Sequence, residues 1–305
     1  MITLARFILK GPNQAALVAA STAILAMMPF MFPAAWLSAA AIALVVLVNG
    51  PQAGSRVLVY ALLGAMLFAW LVFGLPQLAF YFVLMIWLPV WLPALVLYST
   101  ASLSFSLQIL GVLSLLAVLV LYLLFPGMED IFRPALQQML DKLSAQYPGQ
   151  FSMQEMQGVM EAFLVLLPGL FISSMLLGSM ISLFLARWWQ AVLYNPGGFG
   201  EAFRQLRLGR TSAVIATAVL VLTWLAPSDM LNALLMVVFT LYLTQGIAIM
   251  HAVFAARKVG RVWLYVVYGL VFMIPHVVVS LAVAGIADAW LDFRRRLQPP
   301  GTNAR

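Results

Sequence analysis

The chain has no cysteine. That excludes structural disulfides, thiolate metal sites and a cysteine nucleophile, and it says nothing about compartment. Charge is the second shortage. Only 8% of the 305 residues are charged, against 65% hydrophobic, where a soluble domain carries about 25% charged residues. A chain this apolar cannot cover itself with polar surface, so its solvent is lipid. Catalytic side chains are scarce too, with two histidines and nine acidic residues in all. There is no His-Glu-x-x-His, no Gly-x-Ser-x-Gly and no pair of aspartates within two spans, so hydrolysis and metal chemistry find little to work with. A nucleotide loop is also missing, which excludes an ATPase. The expectation is a protein that is not an enzyme and holds no cofactor and no metal.

What is present is apolar and helical. Backbone polar groups in lipid must be satisfied within their own segment, and about 20 residues cross the hydrocarbon core. Apolar segments fall at 15–29, 34–48, 57–74, 78–97, 107–125, 159–186, 212–226, 230–255 and 262–290. The first two are short enough to form a hairpin that stops before crossing. Arg6 and Lys10 precede an apolar run from Ala15 through Pro29 and Pro33 with no small-residue cleavage site, which reads as a retained first span. The last segment holds Pro275 and His276 near its middle. If the chain turns there, all but Arg133 and Lys142 of the 16 Lys and Arg residues gather on one side. A straight last span divides them far more evenly. The tendency of basic residues to stay cytoplasmic favours the turn. The expected fold is an all-α, polytopic transmembrane helical bundle of eight to ten membrane segments, both termini cytoplasmic. It forms one domain over 1–296 with a short tail at 297–305. Trp36, Trp188, Trp189, Trp224, Trp263 and Trp290 fall near segment ends, where indoles favour headgroups. The net charge of +7 is then an orientation signal and an attraction to anionic lipid, and nucleic acid is not an expected partner.

Two polar stretches interrupt the pattern. The insertion at 126–158 has more acidic than basic residues, which suits the outer face. Within it, IFRPALQQMLDKL sets Ile131, Phe132, Leu136, Met139, Leu140 and Leu143 on one helical stripe. YPG at 147–149 marks a turn, and Ser152 with Glu155 forms a capping box for a helix that runs on into the span at 159. The insertion reads as an amphipathic helix on the outer leaflet, as a lid over an outward cavity, or as a partner surface. The second stretch is the cytoplasmic loop and helix at 187–211. Asn195, Pro196, Gly197 and Gly198 signal a turn. In the short helix that follows, Phe199, Phe203 and Leu206 are expected to face lipid, and Arg204 and Arg207 to face headgroups. The glycines follow no strand and precede no lysine, unlike a phosphate-binding loop. The stretch is an interfacial helix or a docking element for a cytoplasmic partner.

An ionisable group inside a membrane is a functional-site candidate by default. Glu161 and His276 near the outer side, with Gln77 and Gln245, make a candidate ligand cavity; the alternative is that each is simply hydrated at an interface. His251 lies near the inner side. In WLPVWLP, Pro89 and Pro93 free the carbonyls of Met85 and Pro89, giving either an ordinary kink or a broken helix at a substrate site. Ala15, Ala19 and Ala23, and again Ala35, Ala39 and Ala43, form faces for close helix packing or for another membrane subunit.

ARWWQAVLYNPGGFGEAFRQLRL (186–208), together with GIADAWLDFRRR (285–296), resembles the YybS-like family of bacterial integral membrane proteins, a family without an assigned activity. The resemblance covers most of the chain and implies a multi-pass protein of the bacterial inner membrane. The family is in turn similar to the substrate-binding components of energy-coupling-factor transporters. Those capture a vitamin or metal ion, rely on a separate ATP-driven module, and commonly dock it through an Ala-x-x-x-Ala pattern in the first helix, which Ala15, Ala19 and Ala23 match. This chain departs from them in having more than six spans. Asp288, Asp292 and Arg294 in the tail are expected to finish the last helix locally or to pack on the 195–210 loop, with Asp288 or Asp292 pairing Arg204 or Arg207. Two functions remain open. One is a small-molecule transport or substrate-capture component with an enclosed polar cavity near Glu161, Gln77 and His276, partnered by an energising module. The other is a non-catalytic scaffold in envelope assembly, with partner surfaces at 195–210 and along the alanine faces. The bilayer is a partner in both, and the small-molecule ligand is unknown.

Overall fold

A computed structural model describes residues 1–28, 30–147, 152–260 and 262–294. The tail at 297–305, the Pro and Gly of the YPG turn, and Arg261, Arg295, Arg296 and Arg305 lie outside the described residues. Every regular element described is helical. In chain order these are α1 Ile2–Ile8, α2 Pro12–Ala26, α3 Ala34–Asn49, α4 Pro51–Phe73 and α5 Leu78–Phe82. A π turn at Val83–Trp87 leads into α6 Leu88–Thr100 and α7 Leu103–Leu124. Then follow α8 Met128–Gln146, α9 Met153–Tyr194, α10 Gly198–Arg204, α11 Gly209–Leu225, α12 Asp229–Ala256, α13 Val262–Met273 and α14 Pro275–Leu291.

Five helices are long and apolar enough to cross a membrane: α4, the run from α5 through α6, α7, α9 and α12. Two bent pairs, α10 with α11 at 52° and α13 with α14 at 112°, raise the number to seven if each pair is one span. The fold is thus an all-helical, membrane-embedded bundle with five to seven candidate spans. α2 and α3 reach only about 22–24 Å at 1.5 Å per residue, short of the ~30 Å hydrocarbon core. The chain bends by 112° after Met273, directly before Pro275.

α12 is the central helix, 61% buried along its most apolar stretch, against 22% for α4 at the periphery. It packs on α7, α9, α11 and α14. α9 joins this centre to an N-terminal layer of α2, α3 and α4. That layer is held by small residues. Ala15, Ala19 and Ala23 of α2, Ala35, Ala39 and Ala43 of α3, and Ala61, Ala65 and Ala69 of α4 are all fully buried. α2 packs against both α3 and α4, so methyl-sized side chains let three backbones approach closely. Ser38 Oγ donates to the Ala19 carbonyl at 2.6 Å, and Trp87 Nε1 donates to Ser38 Oγ at 2.9 Å, tying the layer to the π turn. The alanine faces are therefore consumed within the chain. This corrects the expectation that they offer a docking surface to another subunit or scaffold partner. In the WLPVWLP stretch, one wide π turn directly before Pro89 absorbs the missing amide hydrogen bond, and the helix continues through Pro93 to Thr100.

α9 sets the depth scale. Between Pro168, beside the end of α7, and Arg187 lie about 28 Å of helix, close to one hydrocarbon thickness. Beyond Pro168, about 22 Å of α9 projects past the bundle, with α8 folded back along it. Ser152 Oγ accepts from the Glu155 amide and caps the start of α9. The opposite end collects the basic residues. There Gln190 Nε2 donates to the Leu47 carbonyl at 2.8 Å, Arg187 Nη1 donates to Gln190 Oε1 at 2.8 Å, and the Arg207 amide donates to Ser104 Oγ at 3.0 Å.

Candidate functional site

The loop between α10 and α11 enters the bundle as non-helical backbone. A turn at Asn195–Gly198 leads from α9 into α10: Gly197 has φ 91°, which favours glycine, and the Gly198 amide donates to the Asn195 carbonyl at 3.0 Å. Asn195, Pro196 and Gly197 are exposed at its tip. From there α10 folds back onto the bundle. Phe199 and Phe203 pack with Phe184 of α9, with ring centroids 6.0 Å and 5.5 Å away, and Phe203 stands edge-on to His251 at 5.7 Å. Leu206 and Leu208 are fully buried. These apolar residues turn to protein, not to lipid as expected. An apolar side chain satisfies either solvent, so its pattern alone does not distinguish them.

Backbone that leaves the helix at membrane depth needs partners for its free amides. Side chains supply them here. Besides the Ser104 bond to Arg207, Gln245 Oε1 accepts from the Leu208 amide at 2.8 Å. The same Gln245 side chain, fully buried, donates through Nε2 to the Gly285 carbonyl at 3.0 Å and to Asp288 Oδ2 at 3.1 Å. Asp288 Oδ2 also accepts from Arg294 Nη2 at 2.8 Å, and Arg294 Nη1 donates to the Arg204 carbonyl at 2.8 Å. Arg207 Nη1 pairs Asp292 Oδ2 at 2.9 Å. One network thus joins the 195–210 stretch, the middle of α12 and the end of α14. The expected cross-pairing forms between Arg207 and Asp292, while Asp288 pairs locally with Arg294.

The two ion pairs differ in kind. Arg294 and Asp288 side chains are 6% and 1% exposed; Arg207 and Asp292 are 46% and 39% exposed. The outer pair contributes at most ~1 kcal/mol. The inner pair is held in place by its hydrogen bonds and is costly to break. Asp288 Oδ1, Asp292 Oδ1 and Arg294 Nε are buried and find no partner among the described residues. Above this network lies a cleft of about 240 Å³ lined by Arg204, Gln205, Arg207 and Arg294 over Ala252, Ala255 and Ala256.

The candidate ligand cavity does not assemble. Thr244 Oγ1 lies 3.2 Å from Met180 Sδ, so Gln245 is level with Met180 and about 28 Å of helix away from Glu161. Its role is to satisfy the broken backbone and Asp288. Glu161 pairs Arg133 at the base of the α8–α9 hairpin, where Arg133 Nε also donates to Asp130 Oδ1 at 3.0 Å. Glu161 first, then Asp130, holds the Arg133 guanidinium above its usual pKa. Gln77 precedes α5, and His276 opens α14 just past the break; both are exposed. Under the insertion lies an open apolar groove of about 480 Å³, not an enclosed polar cavity. Leu136, Met139, Leu140 and Leu143 of α8 face Met156, Val159, Met160 and Phe163 of α9, with Glu155 at the rim. Among the described residues no cluster of His, Asp or Glu is arranged to hold a metal ion.

No family model, characterised protein or solved structure matches this chain.

Proposed function

We propose that this is a multi-pass protein of the bacterial inner membrane, with both termini at the cytoplasmic face. We further propose that it captures an amphiphile in its outward α8–α9 hairpin and has no ATPase of its own. The apolar groove carries the capture reading. Its volume falls within the ~300–1,000 Å³ of small-molecule sites, and its lining is apolar as theirs is. The occupant is an acyl chain. Val159 and Phe163 in the groove are 71% and 44% exposed, and the apolar surface continues down α9 through Leu166 and Leu170. A chain can therefore enter sideways from the outer leaflet, with its polar head beside Glu155. Counting α2 and α3 as a hairpin and α13 and α14 as a turned pair gives eight to ten membrane segments. The even count agrees with Arg6 and Arg294 both lying at the basic end. Membership of the YybS-like family is part of this proposal and would place the chain in that compartment; any energising module would be a separate partner.

Titration of the purified protein with a fluorescent long-chain alcohol, whose neutral head can donate to Glu155, tests capture. Saturable binding is expected, and Leu140→Glu should weaken it about tenfold or more, since burying one such side chain contributes ~1.5–3 kcal/mol. Equal binding by the variant would count against the groove. The scaffold reading keeps one observation, the exposed tip at Asn195, Pro196 and Gly197. A partner that requires this tip, with no bound amphiphile, would favour it.

A further inference from the structure

We infer that the arginine cleft at the basic end is a binding site for a phosphate group, and that a membrane phospholipid supplies it. Three guanidinium groups, Arg204, Arg207 and Arg294, line one cleft of about 240 Å³. Among the described residues only Asp288 and Asp292 pair with them, so three guanidinium groups meet two paired carboxylates. Gln205, also in the lining, donates to Glu201 Oε1 at 3.3 Å, and Glu201 is the remaining carboxylate nearby on α10. Arg257 and Lys258 follow α12 directly in the chain, next to the lining residues Ala255 and Ala256.

The site is built and does not arise from surface arginines alone. Arg294 is 6% exposed and fixed by Asp288 and the Arg204 carbonyl, yet its Nε donor is buried without a partner among the described residues. A buried guanidinium held by two hydrogen bonds in the lining of the cleft is preorganised for an oxyanion. Arg204 has no carboxylate partner among the described residues, so its whole fork is available. The floor is small and apolar: Ala252, Ala255 and Ala256 leave room beside the phosphate for a glycerol unit and the start of an acyl chain. The position selects the source. The cleft lies at the basic end of helices that cross the membrane, the level at which lipid phosphates are the most concentrated anions. This inference is independent of the acyl groove, which occupies the other end of α9.

Native mass spectrometry and thermal unfolding of the purified protein test it. Phosphatidylglycerol in mixed micelles is expected to stay bound and raise the melting temperature more than phosphatidylcholine does. Arg204→Gln should weaken retention about tenfold, the loss of a hydrogen bond to a charged group, without disturbing the fold, because the Arg204 side chain holds no other among the described residues. Arg56→Gln, at the same end but lining a different cleft, should leave retention unchanged. Inorganic phosphate and glycerol 3-phosphate distinguish the sources. Stabilisation by these soluble anions that Arg204→Gln abolishes, with no preference among lipids, would keep the phosphate site but replace the lipid by a soluble ligand. No stabilisation by either class, or equal retention by Arg204→Gln, would overturn the proposal.

Discussion

Gly246→Ala is expected to destroy the packing of α14 on α12. Alanine favours a helix over glycine by ~1 kcal/mol, so the substitution should stabilise wherever space exists. Here there is none. A Cβ on Gly246 would lie 2.0 Å from the Leu281 carbonyl oxygen, and one on Gly285 would lie 2.3 Å from that of Tyr242. Both obstacles are backbone atoms, so no side chain can rotate away and the helices must separate. Overpacking typically costs ~1–3 kcal/mol, and this contact stands at or above the upper end. Separation would also pull Gln245 from the Gly285 carbonyl and Asp288. Melting of purified Gly246→Ala and Gly285→Ala should show a large loss or no folded protein. Gly269→Ala, where nothing lies within 4 Å of the added carbon, should match or exceed the native protein. A Gly246→Ala protein as stable as the native one would mean that the α12–α14 contact is looser than described.

The second large effect is expected at Asp288. Asp288→Asn leaves Arg294 buried without its counter-charge, a change that typically costs ~3–5 kcal/mol. Asp292→Asn removes only the exposed pair and should cost no more than ~1 kcal/mol. The two aspartates lie four residues apart; Asp288 is buried in α14 and also accepts from Gln245, whereas Asp292 caps the helix end in a left-handed conformation that asparagine also adopts readily. Replacing Arg294 by Met in the Asp288→Asn background should recover much of the loss, since removing both charges abolishes the uncompensated one. Unfolding free energies in detergent for the two single variants and the double variant decide this. Equal, small effects at Asp288 and Asp292 would show that the inner pair is solvated.

What could be read in advance follows the physics of a lipid solvent. Hydropathy and backbone satisfaction mark the long helices, and Pro275 marks the break between α13 and α14. The charged residues of the tail and loop were legible as a pair of elements because charge needs a partner at membrane depth. Faces were not legible. Phe199, Phe203 and Leu206 read as lipid-facing because lipid and protein interior are equally apolar. Ala15, Ala19 and Ala23 mark close packing, but their spacing is silent on whether the neighbour belongs to the same chain. Gln245 read as a ligand contact because an intramembrane polar group attracts that reading. Its actual partners, the Leu208 amide and Asp288, lie 37 and 43 positions away in the chain. Ala61, Ala65 and Ala69 carried the same four-residue signal as the earlier stripes and could have been found with it. Gly246 and Gly285 could not, since each gives a signal only beside the other.

The central claim is that the α8–α9 hairpin and the arginine network lie on opposite faces of the membrane, with the network inside. The absence of native cysteine makes a direct measurement simple: label single cysteines with a membrane-impermeant thiol reagent in right-side-out and inverted membrane vesicles. Gln146→Cys, exposed at the hairpin tip, and Thr211→Cys, exposed at the start of α11, report the two ends. Labelling of Gln146→Cys only in right-side-out vesicles, and of Thr211→Cys only in inverted ones, is the predicted result. Labelling of both from the same side would contradict the account.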